Sequence, residues 1–181
     1  SIAEHAYAWE AALWKTKGRH EGFVSVGSSA LHGSHRLPSI DLSKAKALKR
    51  SLLFIHGGLS DTQSTFAELG RAFPPVNLTI FQILRELYED RIYGFDHFTI
   101  SRTPEDNARM LLESLPQRTT TFDVVTHGRG GLVLRHLVER SDLFPGLSER
   151  FALGRACLIA SPNEGVPLSS HKHLTDYINW L

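Results

Sequence analysis

The chain is 181 residues long, enough for one domain with a real core and too short to argue for two. Hydrophobic residues make up 41% and charged residues 22%, with 20 basic against 19 acidic side chains, so no bulk field recruits nucleic acid or an anionic membrane. The densest cationic stretch, residues 44–50, holds four cations and fits a solvated face; the single cysteine, Cys157, excludes an internal disulfide framework and a thiolate metal cluster.

In chain order, Ile2, Ala6, Trp9 and Leu13 recur at helical spacing and predict a helix over residues 2–17, stopped by Gly18. This N-terminal helix, residues 1–20, is set apart from an α/β unit over residues 21–181. Residues 23–26 and 30–37 read as short strands, followed by a connector from Pro38 through the lysine-rich stretch. Ser51-Leu52-Leu53-Phe54-Ile55 is a continuous apolar run ending in His56-Gly57-Gly58, the pattern of a strand buried on both faces of a parallel sheet. Helices are expected over 64–73, halted by Pro74-Pro75, and over 78–89, then a strand over 91–95. Thr103-Pro104-Glu105-Asp106 supplies a hydroxyl cap, a first-turn proline and acids for a helix running to about Leu115. A strand over 122–126, a helix over 131–140, a strand over 155–160 and a helix over 173–181 complete the series. The alternation predicts an α/β architecture: a largely parallel sheet flanked by helices. Cys157 sits in an apolar run and is expected to be a buried structural thiol; one thiol fits a reducing, cytoplasmic compartment. No window approaches the length of a transmembrane helix, and no signal peptide opens the chain.

Ligands of open parallel sheets sit at the carboxyl ends of the strands. Two glycine-rich strand ends fall there: His56-Gly57-Gly58-Leu59 and Thr126-His127-Gly128-Arg129-Gly130-Gly131. A sharp strand-to-helix turn needs small residues beside its apex, where the backbones close on each other, and the apex takes a positive φ. Gly130 is one small flank and Thr126 the other, and the following helix N-terminus aims N–H groups above the apex. The glycines of this turn lack both the G-x-G-x-x-G spacing and the lysine of nucleotide-binding loops.

Residues 122–135 resemble the nucleophile elbow of the α/β-hydrolases, in the His-Ser-x-Gly-Gly form of lipases and esterases, and the His56-Gly57 pair is similar to that fold's oxyanion loop. Asn163-Glu164-Gly165-Val166-Pro167 is similar to a Pro-Asn-x-Gly-x-Pro stretch of bacterial lipase-like proteins. The resemblance spans roughly residues 50–170. It implies an α/β-hydrolase fold and a serine carboxylic-ester hydrolase acting on a small ester or lipid, with no metal or organic cofactor. Gly128 then occupies the nucleophile position, where serine is expected. The Arg129 N–H is one oxyanion donor, the Gly58 or Leu59 N–H the other, and His127, Gly130, Gly131, His56 and Gly57 shape the turn and loop. With glycine at the apex there is no Oγ to acylate, so the chain as it stands is expected to be inactive.

In this fold the acid and the catalytic histidine follow later strands, so the sheet is expected to be incomplete at the C-terminus, with those groups beyond Leu181. His171 and His173 come too early for the base and read as surface residues, and Ser60, Ser64 and Ser161 have no elbow around them. Asp96 and His97 follow a strand and are candidates to line the cleft. Two readings of the glycine stay open: a serine hydrolase in a nucleophile-less form, or a natural pseudoenzyme serving as a binding or scaffold module. Its contacts to other domains or chains would run through the N-terminal helix and the open sheet edge.

Overall fold

The computed structural model describes residues 2–26, 49–75, 78–89 and 91–164. The strand expected over 30–37, the helix expected over 173–181, and His171 and His173 lie outside the described residues. Helix α1 (Ile2–Thr16) leads into β1 (Gly22–Ser25); then follow β2 (Ser51–Ile55), α2 (Thr62–Phe66), β3 (Ala72–Phe73), β4 (Leu78–Thr79), α3 (Ile80–Tyr88) and β5 (Ile92–Asp96). The chain continues through α4 (Pro104–Ser114), β6 (Thr120–His127), α5 (Gly130–Glu139), α6 (Leu147–Arg150) and β7 (Phe151–Ile159).

The main sheet has the order β1-β5-β2-β6-β7. Strands β5, β2, β6 and β7 run parallel, and β1 closes one side antiparallel to β5. Every residue of β2 is buried, as its unbroken apolar run requires. Its alternate side chains feed two cores. Leu53 and Ile55 pack with Leu111, Val133, Leu134 and Leu137 beneath α4 and α5, and Leu52 and Phe54 pack with Phe66, Phe81 and Tyr88 beneath α2 and α3. The result is helices on both faces of a mostly parallel sheet.

The Thr103 cap forms as its sequence predicts, a reciprocal box in which the Thr103 hydroxyl accepts from the Asp106 N–H and Asp106 accepts from the Thr103 N–H. A second box, between Thr79 and Gln82, starts α3 at Ile80, so Leu78 and Thr79 are strand rather than helix. The helix expected over 64–73 is split. Asp61 caps the Ser64 N–H and begins α2 at Thr62, a 3-10 turn follows over Ala67–Gly70, and Ala72–Phe73 turn extended. A residue before proline is pushed out of the helical region, and Phe73 pairs with Leu78 instead.

The inward face of α1 also differs from its apolar spacing. Glu10 is buried, and Trp14 and Tyr7 both pack edge-on to Phe98, whereas Trp9 is 56% exposed. Cys157 is exposed, not a buried thiol. It lies on β7, an edge strand among the described residues, where Leu153, Leu158 and Ile159 are exposed as well.

Candidate functional site

From β2 the chain moves to one side of the sheet to form β5; from β6 it moves to the other to form β7. Adjacent strands whose connections leave in opposite directions open a crevice at their carboxyl ends, the usual ligand position in such sheets. Both glycine-rich strand ends lie there.

Gly128 follows β6 at φ +50, and its N–H donates to the Ile159 carbonyl at 2.8 Å. Two residues later α5 begins. A Cβ on Gly130 would run into the Ile55 carbonyl oxygen and come within 2.6 Å of that of His56. On Gly131 it would lie 2.7 Å from the Ser161 Cβ. On Gly128 it would meet only the Gly57 Cα, at an ordinary 3.6 Å. The flank of the turn therefore has to be glycine for space, and the apex does not. The N–H groups of Arg129 and Gly130, at the head of α5, form no hydrogen bond among the described residues.

The facing loop is equally close. A Cβ on Gly57 would sit 2.8 Å from His127 Nδ1 and 3.2 Å from the His127 carbonyl oxygen, so this glycine lets the loop rest against the turn. His56 is fully buried beneath it. Its Nε2 accepts from the His97 N–H at 3.1 Å, which leaves Nδ1 as the protonated nitrogen donating to the Gly57 carbonyl at 2.8 Å. The His97 ring stacks on His56 at 4.1 Å, and its Nδ1 faces the Phe95 carbonyl at 3.2 Å, leaving Nε2 as a buried acceptor with no partner. Burial pushes the His56 ring below its ordinary pKa, with the Gly57 carbonyl, Asp96 and Glu10 opposing. Burial pushes His97 well below it, helped by the neighbouring His56. Both rings are neutral, structural supports of the loop.

Of the two amides named for the second oxyanion donor, that of Leu59 donates to Thr99 Oγ1 at 2.8 Å, and that of Gly58 makes no hydrogen bond among the described residues. Leu59 itself has φ +55 and is 59% exposed. His127 is exposed at the end of β6, and the Arg129 guanidinium donates to the Arg102 carbonyl. Asp96 accepts from the Thr62 N–H at 2.8 Å and lines a cavity of about 160 Å³ with Val24, Phe54 and Phe66, whereas His97 has no exposed surface. Ser60 bonds to Thr65 and Ser64 to Asp61, so both serve the start of α2. The Ser161 hydroxyl is buried behind Gly131 without a partner among the described residues.

Two buried acids carry structure that the sequence pattern does not announce. Asp123, inside β6, accepts from Arg50 Nη1, the Tyr88 hydroxyl and the Arg155 N–H at 2.8 to 2.9 Å. The last bond lies at the register shift between Phe122 and Val124, where β7 carries an extra residue. A carboxylate in place of an apolar residue at Asp123 was the available signal. Glu10 is the other, an acid on the inward face of α1 bonded to the chain after β5. No curated protein and no solved structure matches the chain. Residues 27–181 match the domain of unknown function DUF7379, and the chain belongs to that family.

Proposed function

We propose that the chain has the α/β-hydrolase fold and is a serine carboxylic-ester hydrolase in a nucleophile-less form, with Gly128 in the place of the attacking serine. One observation carries the reading: the packing around the turn forbids a side chain at Gly130 and Gly131 and accommodates one at Gly128. The positive φ at the apex and the N–H groups of Arg129 and Gly58, unpaired among the described residues, fit the same role. A serine at 128, giving its proton to a histidine base expected after the later strands, would attack the ester carbonyl, and those amides would hold the oxyanion that forms. The second reading, a retired enzyme kept as a binding module, draws on the same φ. Glycine at +50° carries none of the strain, on the order of 1–3 kcal/mol, that another residue there would.

The test is Gly128→Ser in the full-length protein, including whatever follows Leu181, treated with a fluorophosphonate probe and assayed on p-nitrophenyl esters of varied acyl length. The hydrolase reading expects stoichiometric labelling of the serine form and none of the glycine form, with turnover that grades acyl length. A folded serine form that neither labels nor turns over discards the hydrolase reading in favour of the binding module.

A further inference from the structure

The chain between β5 and α4 wraps around a carboxylate. Glu10 of α1 is 2% exposed and accepts from the N–H groups of Thr99, Ile100 and Ser101 at 2.6, 3.2 and 3.0 Å. It also takes the hydroxyl protons of Ser101, at 2.7 Å, and of Thr99, at 3.4 Å. Consecutive backbone amides converging on one anion form a nest, and an ionised acceptor fixes such a loop more firmly than a neutral one. The Thr99 hydroxyl has one proton to give and lone pairs to offer. With its proton directed to Glu10, its lone pair receives the Leu59 N–H at 2.8 Å. Leu59 is the residue after Gly58 in the loop facing the turn, and its φ of +55 is a conformation that a leucine keeps only under outside restraint. Trp14, one turn along the same helix, places its ring 6.2 Å from that of His56 beneath the same loop.

We propose that Glu10 is a positioning residue for the 56–59 loop, acting through the Thr99 hydroxyl on the Leu59 amide. The N-terminal helix then belongs to the site although it lies outside the matched segment 27–181. In functional terms this rests on the reading of that loop as the oxyanion side of an ester-hydrolase site; in structural terms it stands on the hydrogen-bond chain alone. Glu10 holds Thr99, Thr99 holds Leu59 at its strained φ, and the backbone at Gly58, just before it, is thereby fixed. A carboxylate that merely anchored α1 would leave the Leu59 amide indifferent to Glu10→Gln, although Thr99→Val would still expose it.

Residue-resolved amide hydrogen exchange on the intact chain separates the two roles. Thr99→Val removes the hydroxyl at nearly constant shape and leaves every amide bond to Glu10 in place. The Leu59 amide is expected to exchange at least tenfold faster in this variant, with the amides of Leu53 and Val124 unchanged, and Thr99→Ser is expected to restore protection. Glu10→Gln should reproduce the Leu59 effect and also deprotect Thr99, Ile100 and Ser101. If Glu10→Gln does not fold, Glu10→Asp, which keeps the charge and draws it back from Thr99, takes its place. Leu59 protection equal to wild type in folded Thr99→Val, or in the folded Glu10 variant, overturns the proposal. Labelling of Gly128→Ser with and without Thr99→Val is a separate measurement. Its absence in both discards the hydrolase reading, and the exchange data then still judge the positioning role. A tenfold or greater loss confined to the double variant supports the two together.

Discussion

The amino-terminal half of β6 and the turn at its carboxyl end treat buried polar groups in opposite ways. Asp123 is held by a guanidinium, a phenol and a backbone amide, each within 2.9 Å. At the other end the Arg129 and Gly130 amides are unpaired among the described residues, and Thr126 Oγ1, His97 Nε2, Arg129 Nη1 and Ser161 Oγ are buried without partners. A satisfied buried network fixes one packing arrangement, and unsatisfied groups have a cost that the surrounding structure must hold. Completeness fits a structural role for the first end, and the open groups at the second fit the site proposed above.

The sharpest way to break this contrast is at the turn. Gly130→Ala drives a methyl into two carbonyl oxygens of the β2 end, which have no room to retreat. It should cost about 3 kcal/mol of stability by urea denaturation. Gly128→Ser, two residues away, should cost only about 1 kcal/mol, the strain of a positive φ. Equal losses at the two positions would remove the observation on which the proposed function stands. At the other end, Asp123→Ala leaves Arg50, the Tyr88 hydroxyl and the Arg155 amide without their acceptor. A loss of about 2 kcal/mol is expected, below that of a fully buried ion pair because Arg50 reaches solvent.

A gentler probe is pH, which separates the two ends by sign. Burial, together with the bond to Asp123, raises the Tyr88 hydroxyl to about 12, so the folded chain holds that proton more tightly than the unfolded chain does. This contribution is complete below pH 10 and fades as pH rises from 10 through 12. His56 and His97 are shifted down from 6.5, so the unfolded chain takes up protons first on acidification. Their contribution is complete above pH 6.5 and is lost below it. Urea midpoints across pH should therefore fall on both sides, and Tyr88→Phe should flatten the alkaline limb without touching the acid one.

Much of this frame is legible in the sequence because it depends on local chemistry. The apolar run of β2, the Thr103 box and the glycines after β2 and β6 each act over a few residues, and the structure places them where their spacing implies. The parts that escape the sequence depend on distant partners. Glu10 and Asp123 read as ordinary acids until atoms 89 and 73 positions away arrive to satisfy them. The inward face of α1 was obscured for the same reason: it is organised around that carboxylate and two aromatic rings on Phe98, not around the spacing of its aliphatic residues. Cys157 sits in an apolar run because β7 is a strand, and it is exposed because β7 is an edge.

The nest around Glu10 has a practical bearing on where this unit should be divided. A boundary drawn at residue 27, where the family match begins, would remove both acids that the 98–102 segment folds around, Glu10 and Glu21. The backbone amides of residues 98–101 would lose their acceptors in one cut, and water would have to fill the place of a helix. For recombinant work a piece meant to keep this segment in place has to include α1 and Glu21, and a shorter piece that still folded would be a different protein at the crevice.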